Sequence, residues 1–164
     1  MVIFLQISPL LLKKDETRLA LFGLGAVRDE RLHRMFLQDK VKFLTLADKT
    51  AACREWFNMF VLHQNRAKHG QTNYIPEKML PDFFDLVIWD PTPSAENEFF
   101  VMQPGSSVAT ALSEGEAGDK FVAILKIKGK DFKVEKLKLK TVRQFYFQRL
   151  TMSETKITPN RSDT

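Results

Sequence analysis

Two short stretches of almost unbroken apolar sequence set the tightest limit on how this chain can fold. Trp56–Leu62 reads WFNMFVL and Asp85–Trp89 reads DLVIW. A strand with one wet face alternates apolar and polar residues. A run without alternation belongs in the middle of a sheet that is covered on both faces. Each run therefore demands a neighbour on either edge and a layer above and below, which points to a layered α/β arrangement. The chain is long enough to supply one. Its 164 residues include 44% hydrophobic and 27% charged residues, with 14 Phe to give the core bulk, and a domain of this size buries about 70% of its unfolded surface.

The remaining elements follow from pattern and punctuation. Val2–Gln6 reads as a strand, and Leu10–Leu12 as a short apolar segment that ends at an Asp15-Glu16 turn. Arg18–Phe22 reads as a strand, with Gly23 and Gly25 allowing a tight exit. Asp29 suits the cap of a helix to Gln38, with Leu32, Met35 and Phe36 on one face and His33 at its boundary. Val41–Leu44 is a short strand, and 47–55 is polar and irregular. Pro76 suits the first position of a helix through Met79. Glu98–Met102 is a strand that leads into a Gln103–Ser107 turn centred on Pro104-Gly105. Lys120–Lys128 and Phe132–Leu139 read as a hairpin, and Val142–Leu150 as a last strand. The overall expectation is a mixed sheet with helices outside and an antiparallel portion.

Composition bounds the function only loosely. The net charge of +5 is compatible with an anionic partner such as nucleic acid. The single cysteine, Cys53, excludes an internal disulfide and any multi-cysteine metal site, which suits a reducing compartment. The first residues lack a basic lead and a small-residue cleavage site, so they do not read as a signal peptide. No apolar run approaches the roughly 20 residues of a membrane helix. Met1 opens directly into strand-like sequence, and the polar stretch 151–164 reads as a disordered tail; both ends look like cuts.

Chemistry in open α/β sheets gathers where strands end and loops begin. The first apolar run ends in His63-Gln64-Asn65-Arg66. An imidazole at a rigid strand end can ligate a divalent metal, or it can be an ordinary half-buried hydrogen-bonded side chain. Asn65 can donate to a phosphate oxygen, and Arg66 can grip a phosphate with its fork of donors. His69, in a polar loop, reads as solvated, and Trp56 and Trp89 read as core. Lys126, Lys128, Lys130, Lys133, Lys136, Lys138 and Lys140 make the hairpin basic. Such lysines can meet DNA phosphates, or they can guard an exposed strand against edge pairing.

The run FVLHQNRAKHGQTNYIPEKMLPDFFDLVIW, residues 60–89, resembles the nuclease subunit of the MRN/MRX DNA double-strand-break repair complex, the meiotic recombination eleven family. ISPLLLKK, LALFGLG, DERLHRMF, QPGSSVATALSEGEA and KLKLKTVRQF resemble it too, in the same order, so the likeness covers roughly residues 3–148. It implies an α/β, calcineurin-like metallophosphoesterase fold of mixed sheets flanked by helices, with the N-terminal half absent. On that reading residues 1–141 are the C-terminal part of the nuclease domain, 142–150 start the link to an absent capping domain, and 151–164 form the tail. The family is a nuclear endonuclease and 3′-to-5′ exonuclease that uses two manganese ions. Its partners are DNA, an SMC-like ABC ATPase and nibrin, and it forms a homodimer through helices of the absent half.

His63 matches the metal-ligand histidine of the family's His-Gln-Asn-Arg motif. Asn65 and Arg66 belong to the same motif, and the Gln103–Ser107 turn resembles a family loop near the active site, where Gln103, Ser106 and Ser107 can support the site or form a plain Pro-Gly turn. The family's Asp-x-His, Gly-Asp and Gly-Asn-His-Asp motifs, including the catalytic histidine, have no counterpart here. Nor does the Gly-His-Glu-His-Glu-Cys block that should follow Trp89, where Asp90-Pro91 stands instead. The expectation is a chain that is inactive alone. The competing expectations are a shortened, non-catalytic module that binds DNA or protein, and a small nucleotide-binding domain supported only by Gly23-x-Gly25.

Overall fold

A computed structural model describes residues 4–45, 55–64, 74–89, 100–102, 106–110, 112 and 114–151. Among the described residues nine strands form three sheets. The central one has five strands. β2 (Leu10–Lys14) runs antiparallel to β3 (Thr17–Leu24), and parallel pairing continues through β5 (Phe57–Leu62), β6 (Leu86–Trp89) and β7 (Phe100–Met102). The two apolar runs thus become adjacent inner strands. Met59–Leu62 aligns with Leu86–Trp89, and Leu19–Leu24 aligns with Phe57–Leu62 on the other side.

Alternation along β5 decides what covers each face. Phe60 and Leu62 point to one side, Phe57 and Met59 to the other, and all four are buried. On the first side lie β1 (Leu5–Ile7) and β4 (Val41–Phe43), paired in parallel, together with helix α1 (Asp29–Leu37) and the 74–84 segment. Phe22, Phe43, Phe60, Phe83 and Phe84 interlock there: Phe60 stacks on Phe84 at 5.1 Å between ring centroids, and Phe43 meets Phe60 edge-on at 5.3 Å. Such pairs add about 0.5–1.5 kcal/mol each beyond the area they bury. On the second side lies the hairpin of β8 (Phe121–Lys128) and β9 (Asp131–Lys138), whose Leu125, Ile127 and Phe132 pack near Phe57, Met59 and Leu86.

The hairpin turn is pinned to the start of the central strands. Gly129 takes φ +59°, which suits the first position of a two-residue hairpin turn. Its N–H donates to Thr17 Oγ1 at 3.2 Å. Lys130 Nζ reaches both oxygens of Asp85, at 2.7 and 2.9 Å. Asp85 also accepts from the Asn58 backbone N–H at 2.7 Å, so one carboxylate joins β5, β6 and the hairpin.

Several local expectations need correction. Arg28, not Asp29, is the N-cap of α1, and it makes no side-chain cap bond; Asp29 sits in the first turn, where its charge suits the helix dipole. Gly23 lies within β3, paired with Val61, and neither Gly23 nor Gly25 needs a positive φ or a close approach. Pro76 precedes a single 3-10 turn, Glu77–Met79. His33 is buried rather than marginal, with Nδ1 2.9 Å from the Tyr74 carbonyl. The expected last strand, Val142–Leu150, is not formed: this segment pairs with no strand among the described residues. Among the described residues α1 is the lone α-helix, and no helix is long and apolar enough to cross a membrane. The irregular stretch 47–54, the loops 67–73 and 90–94, and the tail from 152 lie outside the described residues.

The Asp85 junction gives an asymmetric prediction. Asp85→Ala removes the acceptor of a partly buried backbone N–H and should cost about 1–3 kcal/mol. Lys130→Ala removes only a surface ion pair and should cost about 0–1 kcal/mol. Urea unfolding followed by tryptophan fluorescence compares them; equal costs would contradict the junction's role.

Candidate functional site

The parallel strands β3, β5 and β6 all end on the same side of the central sheet, so their C-terminal ends form one rim. His63 stands at the exit of β5. Its backbone N–H donates to Leu24 O at 3.4 Å, extending the β3–β5 ladder by one rung. His63 falls on the Phe57–Met59 face, but beyond its buried part: like Val61 before it, its side chain is exposed.

The next residue turns inward. Gln64 is only 5% exposed. Its Nε2 donates to the Gly25 carbonyl at 3.1 Å, and its backbone carbonyl accepts from Trp89 Nε1 at 2.9 Å. One residue therefore ties together the ends of β3, β5 and β6. Trp89 is fully buried, so it is core as the sequence indicated, but its indole N–H also serves this rim. Sequence reasoning missed Gln64. The signal was available: positions 60, 62 and 64 share a face, so a strand that buries Phe60 and Leu62 buries Gln64 too.

Of the other expected site residues only Ser106 and Ser107 are among the described residues. Asn65, Arg66, His69 and Gln103 lie outside the described residues. Ser107 is exposed. Ser106 is half-buried, and its hydroxyl closes a local turn, donating to Val108 O and accepting from Val108 N–H. Among the described residues no three His, Cys, Asp or Glu converge in a group that could hold a metal ion. The described rim therefore does not fit a complete metal centre, which needs several converging ligands.

The hairpin lysines divide. Lys126 pairs with Glu135, Lys130 with Asp85 and Lys138 with Asp119, each at 2.7–2.8 Å. These three brace the hairpin and its surroundings. Lys128, Lys133, Lys136 and Lys140 stand outside these pairs.

No protein-family model matches the chain. Named relatives do. It is 50% identical over 155 residues to the double-strand break repair protein MRE11 of Rattus norvegicus, covering 90% of this chain and 22% of that protein. With the human MRE11 the identity is 48% over 157 residues, covering 91% of this chain and 22% of that protein. With the double-strand break repair protein mus-23 of Neurospora crassa it is 48% over 160 residues, covering 93% and 21%. The chain spans about a fifth of the length of the curated relatives it matches. Its mixed α/β architecture is part of a metallophosphoesterase fold. Over nine-tenths of its length the chain is similar to a stretch of the MRE11 double-strand break repair proteins.

The rim predicts a specific sensitivity. Trp89→Phe keeps the ring but leaves the buried Gln64 carbonyl without its donor, at an expected cost of about 1–3 kcal/mol. Thermal unfolding of the two chains measures it; an unchanged midpoint would show that the indole bond contributes nothing.

Proposed function

We propose that this chain is the portion of a manganese-dependent DNA double-strand-break repair nuclease that carries one metal-ligand histidine, His63, and that it does not cut DNA alone. The observation that carries the reading is near-50% identity to double-strand break repair proteins across nine-tenths of the chain. The outward His63 at the exit of β5 is consistent with it. An exposed imidazole on a rigid strand end can add to a ligand set that other parts of a protein complete.

The inactivity follows from the same geometry. Two-metal phosphodiester cleavage needs a set of ligands that holds both ions and orients water between them. His63 alone supplies one nitrogen. Asn65, Arg66, Gln103, Ser106 and Ser107 are the positions that would steady a phosphate or the site around it. DNA is the expected substrate of the complete site, with an SMC-like ATPase and nibrin as the partner subunits and the nucleus as the setting. Residues 1–141 form the nuclease-domain portion, and 142–150 lead toward a capping domain.

The test is a nuclease assay on the full 164-residue chain with supercoiled plasmid and 3′-ended duplex in the presence of Mn²⁺. No cutting above the metal-only control is expected. Robust Mn²⁺-dependent cutting that His63→Ala abolishes would overturn the claim of inactivity. Titration of the chain with Mn²⁺, read by NMR, tests the ligand directly: selective broadening of the His63 ring signals, with those of buried His33 spared, is expected.

A further inference from the structure

We propose that Gln64 is a positioning residue that fixes the direction of His63 by locking the exit of β5 against β3 and β6; the idea rests on His63 being the functional group of this rim. Three bonds converge on two consecutive residues. His63 N–H meets Leu24 O, Gln64 Nε2 meets Gly25 O, and Gln64 O receives Trp89 Nε1–H. The first two bind β5 to consecutive carbonyls at the end of β3. The third binds it to the last residue of β6. A chain that leaves a sheet is ordinarily free to turn at the first unpaired residue. Here the pairing outlasts the strand by two residues, so the His63 backbone is fixed on both sides and its side chain is aimed outward.

The chemistry of the amide argues that this is more than filling space. The group facing it is a carbonyl, so the side-chain nitrogen must point at Gly25 and the oxygen must point away. That leaves Oε1 buried with no hydrogen-bond partner among the described residues. A buried acceptor without a donor is a net cost, which Leu or Met at the same place would not carry. Sequence alternation requires a buried residue here, but not a polar one. The amide retains that cost together with the one contact an apolar residue cannot make, the donation to Gly25. Orphaned buried groups of this kind call for a functional explanation, and the neighbouring His63 supplies one.

The experiment measures backbone order by ¹⁵N relaxation on the full chain and on Gln64→Met, which keeps length and bulk but not the donor. In the unchanged chain the amides of Phe60, Leu62 and His63 should all show order parameters near ~0.85. In Gln64→Met, His63 should fall below about 0.6, while Phe60 and Leu62 keep their values and the Trp89 Nε1–H signal stays in place. A merely structural role would move all of β5 together or none of it. Unchanged order at His63, or equal loosening at Phe60 and Leu62, would overturn the proposal. Should Gln64→Met not fold, Gln64→Asn, which keeps the amide but shortens its reach, is judged by the same signals. The readout needs no metal, so it is separable from the ligand assignment. A wild-type His63 that ignores Mn²⁺ counts against the ligand, and a selective loss of order at His63 still supports the positioning.

Discussion

Everything in this fold depends on β5 being buried on both faces. Phe60 and Leu62 on one side and Phe57 and Met59 on the other are all buried, and only Val61, near the exit, is exposed. A six-residue strand cannot satisfy that condition by itself. It requires β3 and β6 to complete its ladders, an aromatic layer around Phe84 above, and the β8–β9 hairpin below. Each fully buried large apolar side chain contributes about 1.5–3 kcal/mol, so the four residues of one strand already outweigh most single interactions elsewhere. The surface contacts that remain, such as Lys130 on Asp85, set the registration of layers that burial has already brought together.

That same constraint builds the rim. Parallel strands deliver their C-terminal ends to one side, and the backbone groups there have no further strand to pair with. Gln64 answers part of this need with a side-chain amide, and Trp89 answers another part with an indole. The result is an edge braced by hydrogen bonds at which His63 lies exposed. The alternation that hides Phe60 and Leu62 hides Gln64 as well.

The legible parts of the sequence were those written in hydrophobic pattern. WFNMFVL and DLVIW announced strands covered on both faces by their lack of alternation, and the alternation within 120–139 announced the hairpin. The parts misread were decided by contacts from elsewhere. Asp29 has the chemistry of a cap, yet backbone geometry gave that place to Arg28. Val142–Leu150 has strand-like composition, but among the described residues no strand pairs with it. His33 looked marginal on its helix because its partner, the Tyr74 carbonyl, is 41 residues away. The site was legible only as a single histidine. Resemblance gave it a role, and the glutamine behind it was passed over although the alternation of positions 60, 62 and 64 pointed to its burial.

The family likeness and the geometry constrain each other. Identity near 50% with double-strand break repair proteins makes a metal-binding reading of His63 reasonable, but identity does not create ligands. Metal centres of the two-ion kind work because several groups converge before the metal arrives, each held by its own support. At this rim one such group and one such support are visible: an outward imidazole and the buried amide that braces its backbone. A lone imidazole binds divalent ions weakly whatever its orientation, so a rigid exit from β5 has little value in isolation. Its value lies in reducing the ordering cost when further ligands are brought to the same edge, since a donor already aimed loses less freedom on binding than one that must be captured. On the function proposed here, the bracing of this edge is preorganisation for a ligand set completed from elsewhere.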